Sequence, residues 1–246
     1  MNILICNDDG IFSEGLKTLA NFLSKENNVV VVAPYANCSG YSHSMSFFKK
    51  LIFKEEIISD NYKSYSITGT PADCVKFGIE FFKGQINFDL VCSGINIGAN
   101  LGTDTLYSGT VAACFEASLL NKKNIAFSIT AFDNINFAKI STHAEKIFNQ
   151  LLPNLSPEFV WNVNIPNLSK IKGLKITKLG VQDYSDRYEY LGNNEYMLVG
   201  EALEHDKNDF DCDVEWIQQG YATATPLILD KTAYNLLNKL PKEIKL

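Results

Sequence analysis

The chain has 246 residues, of which 46% are hydrophobic, and its 22 basic and 28 acidic side chains leave a formal net charge of −6. No apolar run approaches the roughly 20 residues that span a bilayer, and no basic segment followed by a hydrophobic one begins the chain, so we expect a cytoplasmic protein without a membrane partner. The acidic balance disfavours a nucleic-acid polymer as a partner, because binding one normally takes a basic stripe. A single small phosphate ester stays open as a ligand.

The six cysteines are scattered along the chain and form no CxxC pair. This spacing indicates neither a zinc site nor a disulfide framework. Cys6 and Cys92 fall inside apolar runs, so we expect buried, reduced thiols of the kind found in cytosolic proteins.

The first fifteen residues predict a strand, a turn and a helix. The apolar run from Asn2 to Cys6 is the strand, and helical periodicity begins near Gly15. Asp8 and Asp9 therefore lie at the carboxyl end of the first strand, where ligands bind in open α/β sheets. One interpretation is a Mg²⁺ or Mn²⁺ site, because a divalent cation removes the repulsion between adjacent carboxylates. The other is a turn at Asp9 and Gly10, with Asp8 helping to cap the helix.

The next stretch predicts a second strand, a polar loop and further β-structure. The β-branched run from Asn28 to Ala33 is typical of a strand buried on both faces of a parallel sheet. The loop after it is rich in small polar residues. We predict a pair of short antiparallel strands between Met45 and Ile58, a strand from Tyr62 to Thr68, and a helix with Pro71 in its first turn.

Strands and helices then alternate as far as Leu152. We predict strands at Phe88 to Ser93 and at Ile125 to Thr130, a helix that starts at Ser108 to Thr110, and a helix from Phe137 to Leu152. This alternation indicates right-handed crossovers and an α/β fold with a doubly wound, mostly parallel sheet. No linker marks a domain boundary, so we expect a single domain over residues 1–246, with its core in residues 1–152.

After Pro153 the pattern changes to shorter elements. We predict strands at Val160 to Ile165, Gly173 to Gly180 and Gly220 to Leu229, and a terminal helix from Lys231 to Leu240. Tyr184 to Val199 predicts a hairpin with GNN at its turn. A hairpin with exposed tyrosines is more often an oligomer contact than a catalytic part, although it can also wall a pocket.

An acidic run precedes the last strand. Asp209, Asp211 and Asp213 have the spacing of calcium ligands, but the glycine of an EF-hand loop is missing two residues before Glu215. We therefore interpret these residues as helix-capping groups.

Three predicted loops leave strands at the same edge of the sheet, and each offers oxygen atoms. Their polar and glycine-rich residues are Asp8 and Asp9 in the first loop, Asn37, Ser39 and Gly40 in the second, and Ser93, Gly94 and Asn96 in the third. Carboxylate, hydroxyl and amide oxygens suit Mg²⁺, Mn²⁺ or Ca²⁺ better than zinc or copper. Ser108, Gly109 and Thr110 open a helix, whose first N–H groups and dipole favour an anion such as phosphate. A cation beside an anion site indicates phosphoester chemistry.

Taken together, the order and content of these segments resemble the SurE family of survival-protein nucleotidases. The matching strings are NDDG at Asn7 to Gly10, NCSG at Asn37 to Gly40, GTPADCV at Gly69 to Val75, SGINIGANLG at Ser93 to Gly102, YSGTVAA at Tyr107 to Ala113, NVNIP at Asn162 to Pro166 and GYATATPL at Gly220 to Leu227. The resemblance covers nearly the whole chain, and SGINIGAN followed by YSGTVAA is specific.

The resemblance implies a Rossmann-like core and a C-terminal extension, residues 153–246, that is exchanged between the subunits of a homodimer or homotetramer. The predicted hairpin, at about residues 183–200, is well placed for that exchange. The resemblance also implies a phosphatase that acts on nucleoside 5′- and 3′-monophosphates, with short polyphosphate as a further substrate of some members. Its cofactor would be one Mg²⁺ or Mn²⁺ ion per subunit.

The same resemblance assigns roles to individual residues. Asp8, Asp9, Ser39 and Asn96 would be the metal ligands, and Asp8, Asp9 and Asn96 would be catalytic. The phosphate would be held by Asn37, Gly40, Ser108, Gly109 and Thr110.

The mechanism we expect is in-line attack by a metal-associated water. Asp8 or Asp9 would orient or deprotonate that water. The sequence does not assign the residue that protonates the leaving group; His43 follows the Ser39 loop and is a candidate for that acid or for a contact with the leaving group, but we do not expect an obligatory role for it. A nucleotide- or phosphate-binding regulatory protein without turnover is the alternative, since it would keep the same loops.

Overall fold

A nine-stranded sheet runs through the protein, which is described for residues 1–203 and 210–239 of a computed structural model. Two further strands form a separate hairpin. The strands in chain order are β1 (Asn2–Cys6), β2 (Asn28–Pro34), β3 (Phe53–Glu56), β4 (Lys63–Ile67), β5 (Leu90–Ile97), β6 (Lys123–Ile129), β7 (Val160–Ile165), β8 (Leu174–Ile176), β9 (Arg187–Gly192), β10 (Glu195–Val199) and β11 (Ala222–Leu227). The order in the large sheet is β3-β4-β2-β1-β5-β6-β7-β11-β8.

The sheet is mostly parallel. The strand β1 pairs in parallel with β2 and with β5, and the parallel pairing continues through β6 and β7 on one side and through β4 on the other. In the described part of the chain, the antiparallel pairings of this sheet are those of β3 with β4 and of β11 with β7. The chain builds outward from β1 on one side and then returns to build from β5 on the other. The switch point of the sheet therefore lies between β1 and β5, where ligands bind in such folds.

Six α-helices accompany the sheet in the described residues. They are α1 (Glu14–Leu23), α2 (Pro71–Phe81), α3 (Gly109–Leu119), α4 (Phe137–Leu151), α5 (Asp213–Gln218) and α6 (Tyr234–Leu237). Alternate residues of β1 face opposite layers, as the pleat of a strand requires. Ile3 packs in a core with residues of α1 and α4, whereas Leu4 packs in another with residues of α2 and α3. The predicted α/β fold with a doubly wound sheet is confirmed.

The structure corrects the prediction for residues 45–58. It has one strand there, β3, rather than an antiparallel pair, and β3 pairs with β4. The backbone N–H of Ser46 donates to both carboxylate oxygens of Asp73, at 3.1 and 3.2 Å, instead of to a partner strand. Asp73 also forms a capping box with Thr70 at the start of α2. This segment is therefore anchored to the start of α2, because the buried carboxylate of Asp73 accepts the N–H of Ser46.

The C-terminal elements are shorter than predicted, and the hairpin is confirmed. β8 covers only Leu174–Ile176, and α6 covers only Tyr234–Leu237; Leu240, the predicted end of that helix, lies outside the described residues. β9 and β10 form their own antiparallel pair, with Asn193 and Asn194 in the left-handed region at the turn. Within residues 1–203 and 210–239, no helix is long and apolar enough to cross a membrane.

Candidate metal and phosphate site

The structure brings the three predicted segments together at the switch point of the sheet. The third was predicted as a loop after Ser93, but it lies within β5, which continues to Ile97. The backbone N–H of Cys38, in the loop after β2, donates to the carbonyl oxygen of Asp8 at 2.7 Å. The backbone N–H of Ile97, at the end of β5, donates to Oδ2 of Asp9 at 3.1 Å. The aspartate pair is thus tied to both neighbouring loops, because β1 lies between β2 and β5 in the sheet.

Asp8 is held by the first turn of α3. Its side chain is buried, and its two carboxylate oxygens accept hydrogen bonds from Thr110: Oδ2 from the backbone N–H at 3.1 Å and Oδ1 from the hydroxyl at 2.5 Å. Ser108 caps the helix, since its Oγ accepts from the N–H of Val111 at 3.0 Å. Both donors of Thr110 are therefore directed at Asp8.

Gly109 allows this close approach. A Cβ atom at this position would lie 2.8 Å from Cβ of Asp8, 3.0 Å from its Oδ2 and 3.0 Å from Cγ of Pro71. The first distance is shorter than real Cβ contacts and the other two are unusually tight, so a larger residue would push α3 away from Asp8. The glycine of the predicted phosphate string is thus required by packing against the first aspartate.

Burial makes both carboxylates reluctant to ionise. It raises the pKa of Asp8, although the hydrogen bonds from Thr110 lower it. Burial, and next the charge of Asp8, raise the pKa of Asp9 to about 6, against the opposing hydrogen bond from Ile97. Among residues 1–203 and 210–239, no Lys, Arg or His forms an ion pair with either side chain. A cation at this position would offset the cost of two adjacent buried charges.

The other two predicted ligands differ in how they are held. Asn96 is buried, and its Nδ2 donates to the carbonyl oxygen of Gly98 at 2.8 Å, which leaves Oδ1 as the atom that can bind a metal. Ser39 is exposed, and its backbone N–H donates to Oδ1 of Asn37 at 2.8 Å. Gly40 follows with φ of +77° and open space around it. The second loop therefore faces solvent beside the more rigid aspartate pair.

The donor chemistry fits a hard divalent cation. Two carboxylates, one amide oxygen and one hydroxyl are oxygen ligands of the kind that Mg²⁺ and Mn²⁺ take in proteins. In the described part of the chain, no group of three or more His, Cys, Asp or Glu side chains could hold a metal. The predicted ligand set contains only two such side chains, Asp8 and Asp9, so metal binding there would also need the oxygens of Ser39 and Asn96.

His43 contacts a buried carboxylate that the sequence analysis did not single out. Its Nε2 lies 3.0 Å from Oε2 of Glu116, and Nζ of Lys76 lies 2.8 Å from Oε1 of the same side chain. Burial alone would raise the pKa of Glu116, but the hydrogen bonds from His43 and Lys76 outweigh it, and the pKa is lowered. The imidazole ring also lies 6.5 Å from the ring of Phe115, at an interplanar angle of 22°. His43 is therefore fixed near the middle of α3 rather than at its first turn.

Buried polar residues also fix the loop that joins β5 to α3. The carbonyl oxygen of Asn100 accepts from the Nδ2 atoms of Asn162 and Asn164, at 2.8 and 3.0 Å, and its own Nδ2 donates to Ser128 at 2.7 Å. These asparagines come from the NVNIP string of β7. A buried amide in an otherwise apolar strand was the signal that could have identified them, because such groups need partners.

Asp213 serves a structural role rather than a calcium-binding one. It is fully buried at the start of α5, and its carboxylate accepts from the backbone N–H groups of Gly102, Gly180 and Val214, at 2.9, 2.7 and 2.9 Å. Asp209, the first residue of the acidic run, lies outside the described residues. The carboxylate of Asp213 thus joins the loop after β5 to the C-terminal part of the chain.

Fold and site together define a class: an α/β protein with a mostly parallel sheet and an acidic, oxygen-rich site at its switch point. A family profile described as "Survival protein SurE" matches residues 3–186. The chain is 41% identical over 247 residues to "5′-nucleotidase SurE" of Petrotoga mobilis, covering 98% of each chain. It is 40% identical over 250 residues to the protein of the same name from Clostridium botulinum (strain Eklund 17B / Type B), covering 98% of this chain and 99% of that one.

A solved structure shows the same relationship. The SurE protein from Aquifex aeolicus superimposes with a TM-score of 0.84 at 36% sequence identity, covering 98% of each chain. The chain belongs to the SurE family. The family resemblance inferred from the sequence strings is confirmed.

Proposed function

We propose that this protein is a nucleotidase, a phosphatase that hydrolyses nucleoside monophosphates to nucleoside and phosphate. The similar proteins named 5′-nucleotidase SurE support this assignment. The observation that carries it is the pair of adjacent carboxylates, Asp8 and Asp9, without a basic partner among the described residues and held against the start of α3. We further propose that both 5′- and 3′-monophosphates are substrates, and that short polyphosphate is a weaker one.

We propose that one Mg²⁺ or Mn²⁺ ion per subunit would be held by Asp8, Asp9, Ser39 and Asn96. When bound, such an ion supplies Lewis acidity toward a phosphoryl oxygen and offsets the charge that builds up during displacement. Asn37, Gly40, Ser108 and Gly109 would contact the phosphate from the two sides of the aspartate pair. The contacts of Thr110 support a different role from the one predicted, because both of its donors position Asp8.

The protein's own side chains then orient the reactants. Asp8 is fixed by Thr110, and Asp9 is fixed by the N–H of Ile97, so the two carboxylates hold defined positions. One carboxylate of the pair orients the attacking water and accepts its proton. The water oxygen bonds to phosphorus, the bond from phosphorus to the nucleoside oxygen breaks, and one proton ends on that oxygen.

We also propose a homodimer or homotetramer in the cytoplasm, built from a single domain over residues 1–246 with oligomer contacts in residues 153–246. The hairpin supports this proposal. Tyr188, Tyr190 and Tyr196 are all more than half exposed there, and an isolated two-stranded hairpin is marginally stable on its own. Sedimentation of the wild type and of a Tyr190→Ser/Tyr196→Ser variant would test it, and equal masses would argue against the hairpin as the contact.

The test of the function is phosphate release from a panel of 5′- and 3′-nucleoside monophosphates with Mg²⁺, Mn²⁺ or EDTA. We expect metal-dependent release that falls at least a hundredfold in Asp8→Asn. Asp60→Asn is the matched control, because Asp60 is an exposed loop residue. Release that is unaffected by EDTA would contradict the proposed metal site. No release from folded, metal-loaded protein would indicate a nucleotide-binding protein without turnover.

A further inference from the structure

A cavity of about 560 Å³ opens beside α3, on the side of the sheet where β11 ends. One wall is the face of α3 that carries Ser108, Ala112 and Phe115, which are four and three residues apart and so lie above one another. The opposite wall comes from residues 177–179 and from residues 225–229. A volume of 300–1,000 Å³ is usual for small-molecule sites, so the cavity can hold a ligand of that size.

One residue of the proposed phosphate site also lines the cavity. Ser108 lines it and also caps α3, directly before the turn that holds Asp8. From Ser108 to Phe115 the helix advances about 10 Å, since each residue rises 1.5 Å. A phosphate held at the first turn of α3 therefore has room beside the helix for the group attached to it.

Two rings line the cavity, and hydrogen bonding fixes the orientation of one of them. The rings of His43 and Phe115 both line it, and they are nearly parallel. Glu116 holds Nε2 of His43 at 3.0 Å and is itself paired with Lys76, so the orientation of the imidazole is set before any ligand binds. Within residues 1–203 and 210–239, Nδ1 of His43 forms no hydrogen bond and is the ring nitrogen that can contact a ligand. Aromatic and imidazole faces are the surfaces on which proteins stack nucleobases.

We propose that this cavity receives the ribose and base of the substrate, with His43 and Phe115 in contact with the base and Glu116 as the positioning residue for His43. The inference rests on the proposed substrate class. Ala112, Phe115, Leu179 and Leu227 give the walls apolar surface against which the ribose and base can pack, and Lys178 and Lys231 also line the cavity.

The direct test is binding of adenosine, without phosphate and in EDTA, measured by titration calorimetry. This measurement needs neither metal nor turnover. We expect binding to the wild type and at least tenfold weaker binding to His43→Ala and to Phe115→Leu. His143→Ala is the matched control, because His143 lies on α4 in the opposite layer. Equal affinity in all four proteins, or no binding to the wild type, would overturn the inference.

A kinetic test separates this inference from the proposed function. The ratio of kcat/KM for adenosine 5′-monophosphate to that for ribose 5-phosphate should fall at least tenfold in Phe115→Leu and in His43→Ala, chiefly through KM. An unchanged ratio with normal turnover would overturn the inference and leave the function intact. Adenosine binding without any turnover of nucleoside monophosphates would contradict the proposed function and leave the proposed binding cavity intact.

Folding and assembly are checked on the same samples. His43→Ala leaves the buried carboxylate of Glu116 with Lys76 alone, so melting temperatures of all variants accompany the titrations. Phe115→Leu keeps an apolar side chain and leaves that ion pair in place. A change in sedimentation with unchanged adenosine affinity would identify the cavity as a contact between copies of this chain, and would also overturn the inference.

Discussion

Thr110 binds Asp8 through two hydrogen bonds that join residues 102 positions apart in the chain. The backbone N–H of Thr110 donates to one carboxylate oxygen, and its hydroxyl donates to the other. The orientation of Asp8 is therefore set by the first turn of α3. Metal ligands depend on such partners, and removing one typically costs 10–100-fold in metal affinity or activity.

The hydroxyl of Thr110 can be removed at nearly constant shape. We expect Thr110→Val to lower kcat/KM for nucleoside monophosphates by about 10–100-fold, because one oxygen of the buried Asp8 carboxylate loses its donor. Thr110→Ser keeps the hydroxyl and should retain most of the activity. Steady-state kinetics at several Mg²⁺ concentrations measure both effects. Equal loss in the serine and valine variants would mean that the methyl group of Thr110, and not its hydroxyl, is what matters.

Gly109 tests the packing of α3 against Asp8. We expect Gly109→Ala to lower the free energy of unfolding by about 1–3 kcal/mol, because the new Cβ forces the two elements apart, and to reduce activity strongly. Gly78→Ala is the control for packing alone: its Cβ would meet the methyl groups of Leu4 at 3.2 Å and of Val32 at 3.3 Å, away from the site. Denaturant unfolding and phosphate release on both variants give the comparison. An active Gly109→Ala variant would show that Asp8 can move without loss of function.

Metal removal should destabilise the protein. A ligand that binds only the folded state stabilises it by RT ln(1 + [L]/Kd), about 2.7 kcal/mol at a hundredfold excess over Kd. We expect EDTA to lower the melting temperature at neutral pH and Mg²⁺ or Mn²⁺ to restore it. Asp8→Asn should show neither response, whereas the exposed control Asp60→Asn should show both. A melting temperature that ignores EDTA in the wild type would contradict the proposed site.

Glu116 should make stability depend on pH in the acidic range. Its pKa is lowered from 4.5 in the folded protein, so its ionised form stabilises the fold above pH 4.5, and that contribution is lost as the pH falls through the folded-state pKa. The wild type should therefore be more stable than Glu116→Gln at pH 7, and the difference should shrink below pH 4.5. Unfolding by urea at pH 7, 5 and 4 measures it. A difference that stays constant with pH would mean that the charge of Glu116 contributes nothing.

Most of the fold could be predicted because its signals are local. The β-branched run of β2, buried along Val29–Ala33, and the period of three and four in α1 reflect the residues' own environment in a strand or a helix. The failure at residues 45–58 has a tertiary cause. Ser46 turns toward Asp73, and no periodic pattern in the segment itself indicates that partner.

Some features of the candidate site could likewise be predicted from local sequence, and others could not. The sequence by itself determined that Asp8 and Asp9 follow β1, because their position follows from the apolar strand before them. It placed Asn96 at the same edge of the sheet, but in a loop after Ser93 rather than inside β5. Through its strings it also determined the family, whereas the oxygen donor set stays a prediction.

Only the tertiary structure decided which groups meet. The hydrogen bonds of Thr110 with Asp8, the contact of His43 with Glu116, and the N–H groups of Gly102 and Gly180 on Asp213 each join elements far apart in the chain. Hydrophobic periodicity specifies which face of a helix is buried, but it carries no information about which other element packs there. The partners of buried polar groups are set by that packing, so these contacts became visible only once the helices lay on the sheet.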